Sequence, residues 1–299
     1  MNAGWLKPAG VPNSPMRRLI LCADDFALTT GISRAILALI EAGRLSATGA
    51  MTNRPAFAGF ARELANVGER ADIGVHLNLT CGAPMGPMPL LCPTGAFPSL
   101  SRVMRAALGP QAVRAEIALE IRRQLDAFET HAGRAPDFID GHQHVHAMPG
   151  VRWLLLAEAT ARYARGAVAL RDPSDRLAAI LARGVAAGKA LTVAGLAFGF
   201  ARQARSLGYP LNDSFAGFSP FDPGRDFGRD FGRFLTAARS RHLVMVHPGV
   251  EDDAELAGLD PVTATRPMER DFLASQAMPD IVAGFGLRLG RFADAQAAG

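Results

Sequence analysis

Seven groups in this chain have the types and spacing that metal-assisted hydrolysis needs. Asp24 and Asp25 are adjacent, His76 sits in an otherwise apolar segment, and Asp140, His142, His144 and His146 follow at alternating positions. Adjacent acids alone are common as helix caps, and a lone apolar-face histidine is more often a satisfied core residue. The HxHxH run is harder to dismiss. At period two its three imidazoles project to one face of an extended segment, and neutral imidazole is a common transition-metal ligand. One carboxylate and two imidazoles leave coordination positions open for water and a substrate carbonyl, as catalytic sites do. Of the acid pair, one can ligate while Asp24 takes a proton from water; His247, ending a different apolar run, can then protonate the leaving group.

Such groups must be held by strand ends. Residues 18–23 (RLILCA) form a short apolar run that stops at the two aspartates, the pattern of a buried parallel strand. Thr29 or Thr30 caps a helix through Ile32, Ile36, Leu39 and Ile40, which Gly43 ends. A strand at 46–51, a helix at 56–65 and a strand at 72–79 continue the alternation, which implies a parallel sheet with right-handed crossovers. The segment 80–100, rich in Pro and Gly, is an irregular loop expected over the site. A helix at 110–132 is expected to turn Val113, Ile117, Leu119, Ile121, Leu125 and Phe128 inward. Strands at 137–140, 167–171 and 242–247 complete the series. Three of these runs end in Asp or His, as at the catalytic rim of an α/β barrel.

Composition narrows the class. With 299 residues, 49% hydrophobic and 20% charged, the chain is of globular type, and one barrel domain over 16–299 accounts for the length. Its charge of +4 is dispersed and only 7% of it is aromatic, so a nucleic-acid partner is not expected. Cys22, Cys81 and Cys92 have no ligand-like spacing, and a reducing, cytoplasmic setting fits them. Residues 1–15 read as a loose leader, with Met16 as an alternative start, and no apolar run is long enough to span a bilayer. The apolar stretch 187–200 is expected to be core.

Four ordered segments, RLILCADDFALTTGISRAI, IGVHLNLT, FIDGHQHVHAMPGVR and HLVMVHPG, resemble the YdjC/ChbG-like carbohydrate deacetylase family over about residues 17–290. The resemblance implies a deformed (β/α) barrel of the glycoside hydrolase/deacetylase type and removal of an N-acetyl group from an amino sugar. It makes Asp24 the base and Asp25, His76 and His142 the ligands of one divalent ion, with Asp140, His144, His146 and Arg171 around them or on the substrate. It implies Mg2+, whereas two imidazoles favour a softer ion such as Zn2+. Ala27 stands where the family usually has glycine. The stretch LTVAGLAFGFARQARSLGYPLNDSFAGFSP is similar to the branch linked to hopanoid glycolipids, so the expected partner is a chitooligosaccharide-like sugar or an N-acetylglucosaminyl glycolipid. A homodimer is an admissible assembly. A metal-dependent sugar isomerase or phosphoesterase on the same barrel, and a non-catalytic carbohydrate-binding protein, are the competing readings.

Overall fold

The structure, a computed structural model, describes residues 17–292; the leader and Met16 lie outside them. Its eight strands are β1 (Arg17–Phe26), β2 (Ala47–Ala50), β3 (Asp72–Leu77), β4 (Phe138–Gly141), β5 (Ala169–Leu170), β6 (Ser214–Ala216), β7 (Arg241–Val246) and β8 (Leu287–Leu289). All pairings are parallel, in the order β5-β4-β3-β2-β1-β7-β6. Leu19 to Ala23 are wholly buried, as a strand covered on both faces requires. β7 runs along one flank of β1, while the other is divided: β8 pairs with Arg17 to Leu19 and β2 takes over from Cys22. Leu170 bridges to Leu211, just before β6, so the edges of the curved sheet approach each other and form the expected deformed barrel.

The helices follow the apolar spacing where the spacing is strong. In α1 (Thr30–Glu41) the Thr29 hydroxyl accepts the Ile32 N–H at 3.1 Å, and Ile32, Ile36, Leu39 and Ile40 are buried. After α2 (Ala56–Asn66) and α3 (Leu100–Ala107), α4 (Gln111–Ala132) ends on left-handed Gly133, φ 67°. Its inner face differs from expectation. Leu119 is 42% exposed, and Glu120 and Gln124 are buried in its place because they hold the 80–100 loop and β3. Glu120 accepts the Met85 N–H and Glu116 those of Leu90 and Leu91, so most of that loop lies on α4 rather than over the site. The helices α5 (Val151–Arg162), α6 (Leu177–Arg183), α7 (Ala187–Leu196), α8 (Phe200–Ser206), α9 (Phe227–Phe234), α10 (Thr265–Ala274) and α11 (Ala277–Gly284) complete the described chain.

The stretch 187–200 corrects another expectation. In α7 only Ala190 is buried and Phe198 just beyond it is 83% exposed, while Ala197 and Phe200 at the end of the stretch do reach the core. The glycines and alanines of α7 offer little side-chain area to a core, so low polarity in that helix did not translate into burial. No helix among the described residues is long and apolar enough to cross a membrane. All three cysteines are buried and free of disulfides.

Candidate active site

The acid pair reaches one site through a bulge. Between β1 and β2 the register advances by three residues on β1 (Ala23 to Phe26) and by two on β2 (Thr48 to Ala50). The extra residue lies at Asp24 and Asp25, and Asp25 adopts φ 68°. Regular strand geometry would send the two carboxylates to opposite faces; this turn brings both to the rim. Ala27, at φ 70°, also occupies the left-handed region, which glycine enters without strain and alanine does not.

Asp25, His76 and His142 offer one ligand atom each, all within 4.8 Å of one another, and all three side chains are buried. The Asp25 Oδ1 lies 3.0 Å from His142 Nδ1 and 3.5 Å from His76 Nε2. His76 donates through Nδ1 to Asp140 Oδ1 at 2.7 Å, which leaves Nε2 directed at Asp25. A carboxylate holding the remote ring nitrogen of a ligating histidine is the usual support of a metal-bound imidazole. The donor set therefore fits a divalent ion. Burial works against the imidazolium of His76, but Asp140 and Asp24 outweigh it and push it up to about 10. Asp140→Asn should weaken metal retention by about tenfold or more, since the neutral amide is a poorer acceptor for His76; equilibrium dialysis against metal buffers checks this.

Asp24 is not free. Arg171, at the end of β5, donates Nη1 to Asp24 Oδ2 at 2.7 Å and Nη2 to Oδ1 at 2.5 Å, and Nη2 also lies 2.5 Å from Asp140 Oδ2. Burial raises the Asp24 carboxyl, but Arg171 and His76 overcome it and hold it well below the usual range. Asp24 is therefore ionised at neutral pH and clamped. One guanidinium ties Asp24 to the acid that orients His76.

The three alternating histidines do not share a face, contrary to expectation. The chain leaves β4 at Gly141 and continues as a 3-10 turn over His142–Ala147, with Gln143 and His144 left-handed at φ 53° and 58°. Period two gives one face only while the backbone stays extended. His142 meets Asp25; His144 packs edge-on against Phe215 and Phe218; His146 faces Phe200 and donates Nε2 to the Arg171 carbonyl at 2.8 Å. Burial lowers the pKa of both, His146 to about 4, so both are neutral near pH 7.

His247, after β7, lines the same cavity of about 380 Å³ as Asp25, His76 and His142. Glu269 on α10 accepts its backbone N–H at 2.6 Å. Burial outweighs the pull of Asp25 and Asp24 and holds the His247 imidazolium below its usual range, so it is mostly neutral near pH 7. Sequence reasoning missed Arg266, whose Nη2 donates to Asp25 Oδ2 at 2.7 Å and lies 3.1 Å from Asp260. It sits 241 positions from Asp25 in a helix with no distinctive motif, so no local signal marked it. Lys189 and Val193 of α7 also line the cavity.

Comparison with known proteins matches residues 18–284 to the family described as YdjC-like protein. A mouse protein named carbohydrate deacetylase is 32% identical over 169 residues, covering 54% of this chain and 52% of that protein. One of the same name from Geobacillus stearothermophilus is 37% identical over 136 residues, covering 45% and 53%. The chain spans about half the length of the curated relatives it matches. A solved Enterococcus faecalis structure, named for cellobiose-phosphate cleavage, aligns with a TM-score of 0.71 over 94% of this chain and 99% of that one at 19% identity, a likeness of fold. Since the family match spans nearly the whole described barrel, rim residues included, the chain belongs to the YdjC-like family.

Proposed function

We propose that the protein is a metal-dependent carbohydrate N-deacetylase, hydrolysing the acetamide of an N-acetylated amino sugar to acetate and the free amine. The observation that carries this reading is the convergence of Asp25, His76 and His142 beside a separate ionised acid, Asp24, at one barrel rim. The names of the relatives agree with it. Asp25, His76 and His142 hold the ion in this proposal, and two imidazoles make a softer ion such as Zn2+ compatible as well as Mg2+. A divalent ion there supplies Lewis-acid polarisation of the amide carbonyl and makes a water more acidic.

The chain's own groups do the rest. Asp24 accepts a proton from the attacking water, whose oxygen bonds to the acetyl carbon. Arg171 keeps Asp24 ionised and fixes its orientation, at the expense of base strength. His247 acts in the fraction of molecules where its imidazole is protonated: it gives that proton to the nitrogen as the C–N bond breaks, and regains one from solvent before the next turnover. Arg266 occupies the second oxygen of Asp25, which leaves Oδ1 toward His76 and His142. His144 stays neutral among Phe215 and Phe218 and offers a substrate contact rather than a charge.

The test is acetate release from a panel of N-acetylglucosaminyl oligosaccharides and glycolipids by protein prepared without chelator, with elemental analysis of the same preparation. Acetate and amine in equal amounts, lost on chelation and restored by one divalent ion per chain, is the expected result. Isomerised sugar or released phosphate with no acetate would overturn it.

A further inference from the structure

We infer that α6, α7 and α8 form a platform that docks the protein on the surface of a bilayer of anionic phospholipids. From Arg176 to Asn212 there is no acidic residue, while Arg176, Arg183, Lys189, Arg202 and Arg205 supply five positive charges. The whole chain carries +4 and elsewhere mixes both signs; between Asp175 and Asp213 the charged residues are of one sign only. Arg183 is buried and paired with Asp175 at 2.7 Å. Among the described residues no carboxylate pairs with the side chains of Arg176, Lys189, Arg202 or Arg205, all four of which are exposed.

The same segment displays apolar side chains to solvent. Leu177 and Leu181, one turn apart on α6, are 59% and 57% exposed, and Phe198, at the turn between α7 and α8, is 83% exposed. Arg152 of α5 donates to the Phe198 carbonyl at 2.8 Å, which places half-exposed Trp153 in the neighbouring position. Short helices with leucine and aromatic side chains on the surface and arginines beside them are the composition of interfacial membrane binders. Cations whose side chains pair with no carboxylate match the negative potential of an anionic leaflet. A nucleic acid would satisfy the arginines but not the exposed leucines and Phe198.

The platform adjoins the site. Lys189 and Val193, one turn apart on α7, line the cavity that holds Asp25, His76 and His142, and the Lys189 ammonium sits 4.6 Å over the Phe221 ring. Docking through α6–α8 therefore holds the cavity mouth at the headgroup layer. This inference rests on the surface alone and is independent of the deacetylase reading.

The experiment is sedimentation of the full chain with vesicles of phosphatidylcholine alone and of phosphatidylcholine with phosphatidylglycerol. We expect partition onto the anionic vesicles only, falling steeply with added salt. The pair Leu181→Ser and Phe198→Ser should lower it by about tenfold or more, and so should the pair Arg202→Gln and Arg205→Gln. Neither pair belongs to the site, so acetate release from a small water-borne substrate should be unchanged; loss of that release in both would mean that the variants are misfolded, and Phe198→Ser alone would then carry the test. Equal binding to both vesicle types, no binding, or binding indifferent to the substitutions overturns the inference. So does a dimer that Phe198→Ser dissociates in light scattering, because a second copy would then cover the surface. A protein that binds vesicles but releases no acetate would remove the proposed activity and leave the docking intact.

Discussion

Asp24→Asn should retain the divalent ion and substrate binding while losing turnover by about 10²–10⁴-fold, the usual contribution of a positioned base. The retained part follows from geometry. The proposed donor atoms lie on Asp25, His76 and His142, and Asp24 faces Arg171 instead. The lost part follows from charge: an amide in place of the carboxylate has no affinity for the proton that water must give up. A structural cost accompanies the change, because an Asn amide can accept from only one of the two Arg171 nitrogens and points a donor at the other. Asp140 remains within 2.5 Å of that guanidinium and keeps it paired, so the cost should be about 1–3 kcal/mol rather than collapse. Steady-state kinetics, metal content and a thermal melt on one preparation separate these effects. Release of the ion would exchange the roles of the two aspartates. Turnover at the parent rate would pass the base role to His144 or His247.

His76→Ala and His142→Ala should each abolish stoichiometric metal retention while the barrel remains folded. With three protein donors, removal of one leaves a carboxylate and a single imidazole, too few to compete with water for a divalent ion at micromolar concentrations. His76→Ala also leaves Asp140 without its imidazole partner, but Arg171 still pairs with that acid, so a soluble variant is expected. The parent's metal affinity should depend on pH. In the chelated protein His76 is held protonated up to about pH 10, so ion entry must displace that proton. Apparent affinity should then rise by about tenfold for each unit of pH below that value, provided no second proton is released. Competition titration at three pH values gives the slope. Full metal content in either alanine variant would remove that histidine from the donor set.

Much of the barrel was legible because its strands end in chemistry. The apolar runs leading to Asp24, His76, Asp140 and His247 became β1, β3, β4 and β7 within a few residues of the expected bounds. What the sequence concealed were departures from regular backbone. The pair at 24–25 required a turn somewhere; that the turn is a bulge inside β1 with Asp25 left-handed depends on how β2 pairs, which no local pattern encodes. The HxHxH spacing implied one face only while the backbone stayed extended, and two left-handed residues broke that premise. The Arg171 clamp and the Arg266 contact join positions 147 and 241 residues apart. A single sequence carries no signal for such pairs. The misjudged α7 had the right polarity for a core and too little side-chain volume to form one.

The divided flank of β1 bears on how the chain folds. Arg17 to Leu19 pair with Leu287 to Leu289, the first and last strands of the described chain. During synthesis the lower half of the most buried strand must wait for nearly every later residue before its hydrogen bonds can close. Until then Arg17 to Leu19 have one open edge, a template for pairing with the wrong chain. Contacts of such sequence separation slow folding and prolong the exposure of intermediates. A nascent chain that stops short of Leu287 should therefore be aggregation-prone out of proportion to the three pairing residues of the strand it lacks.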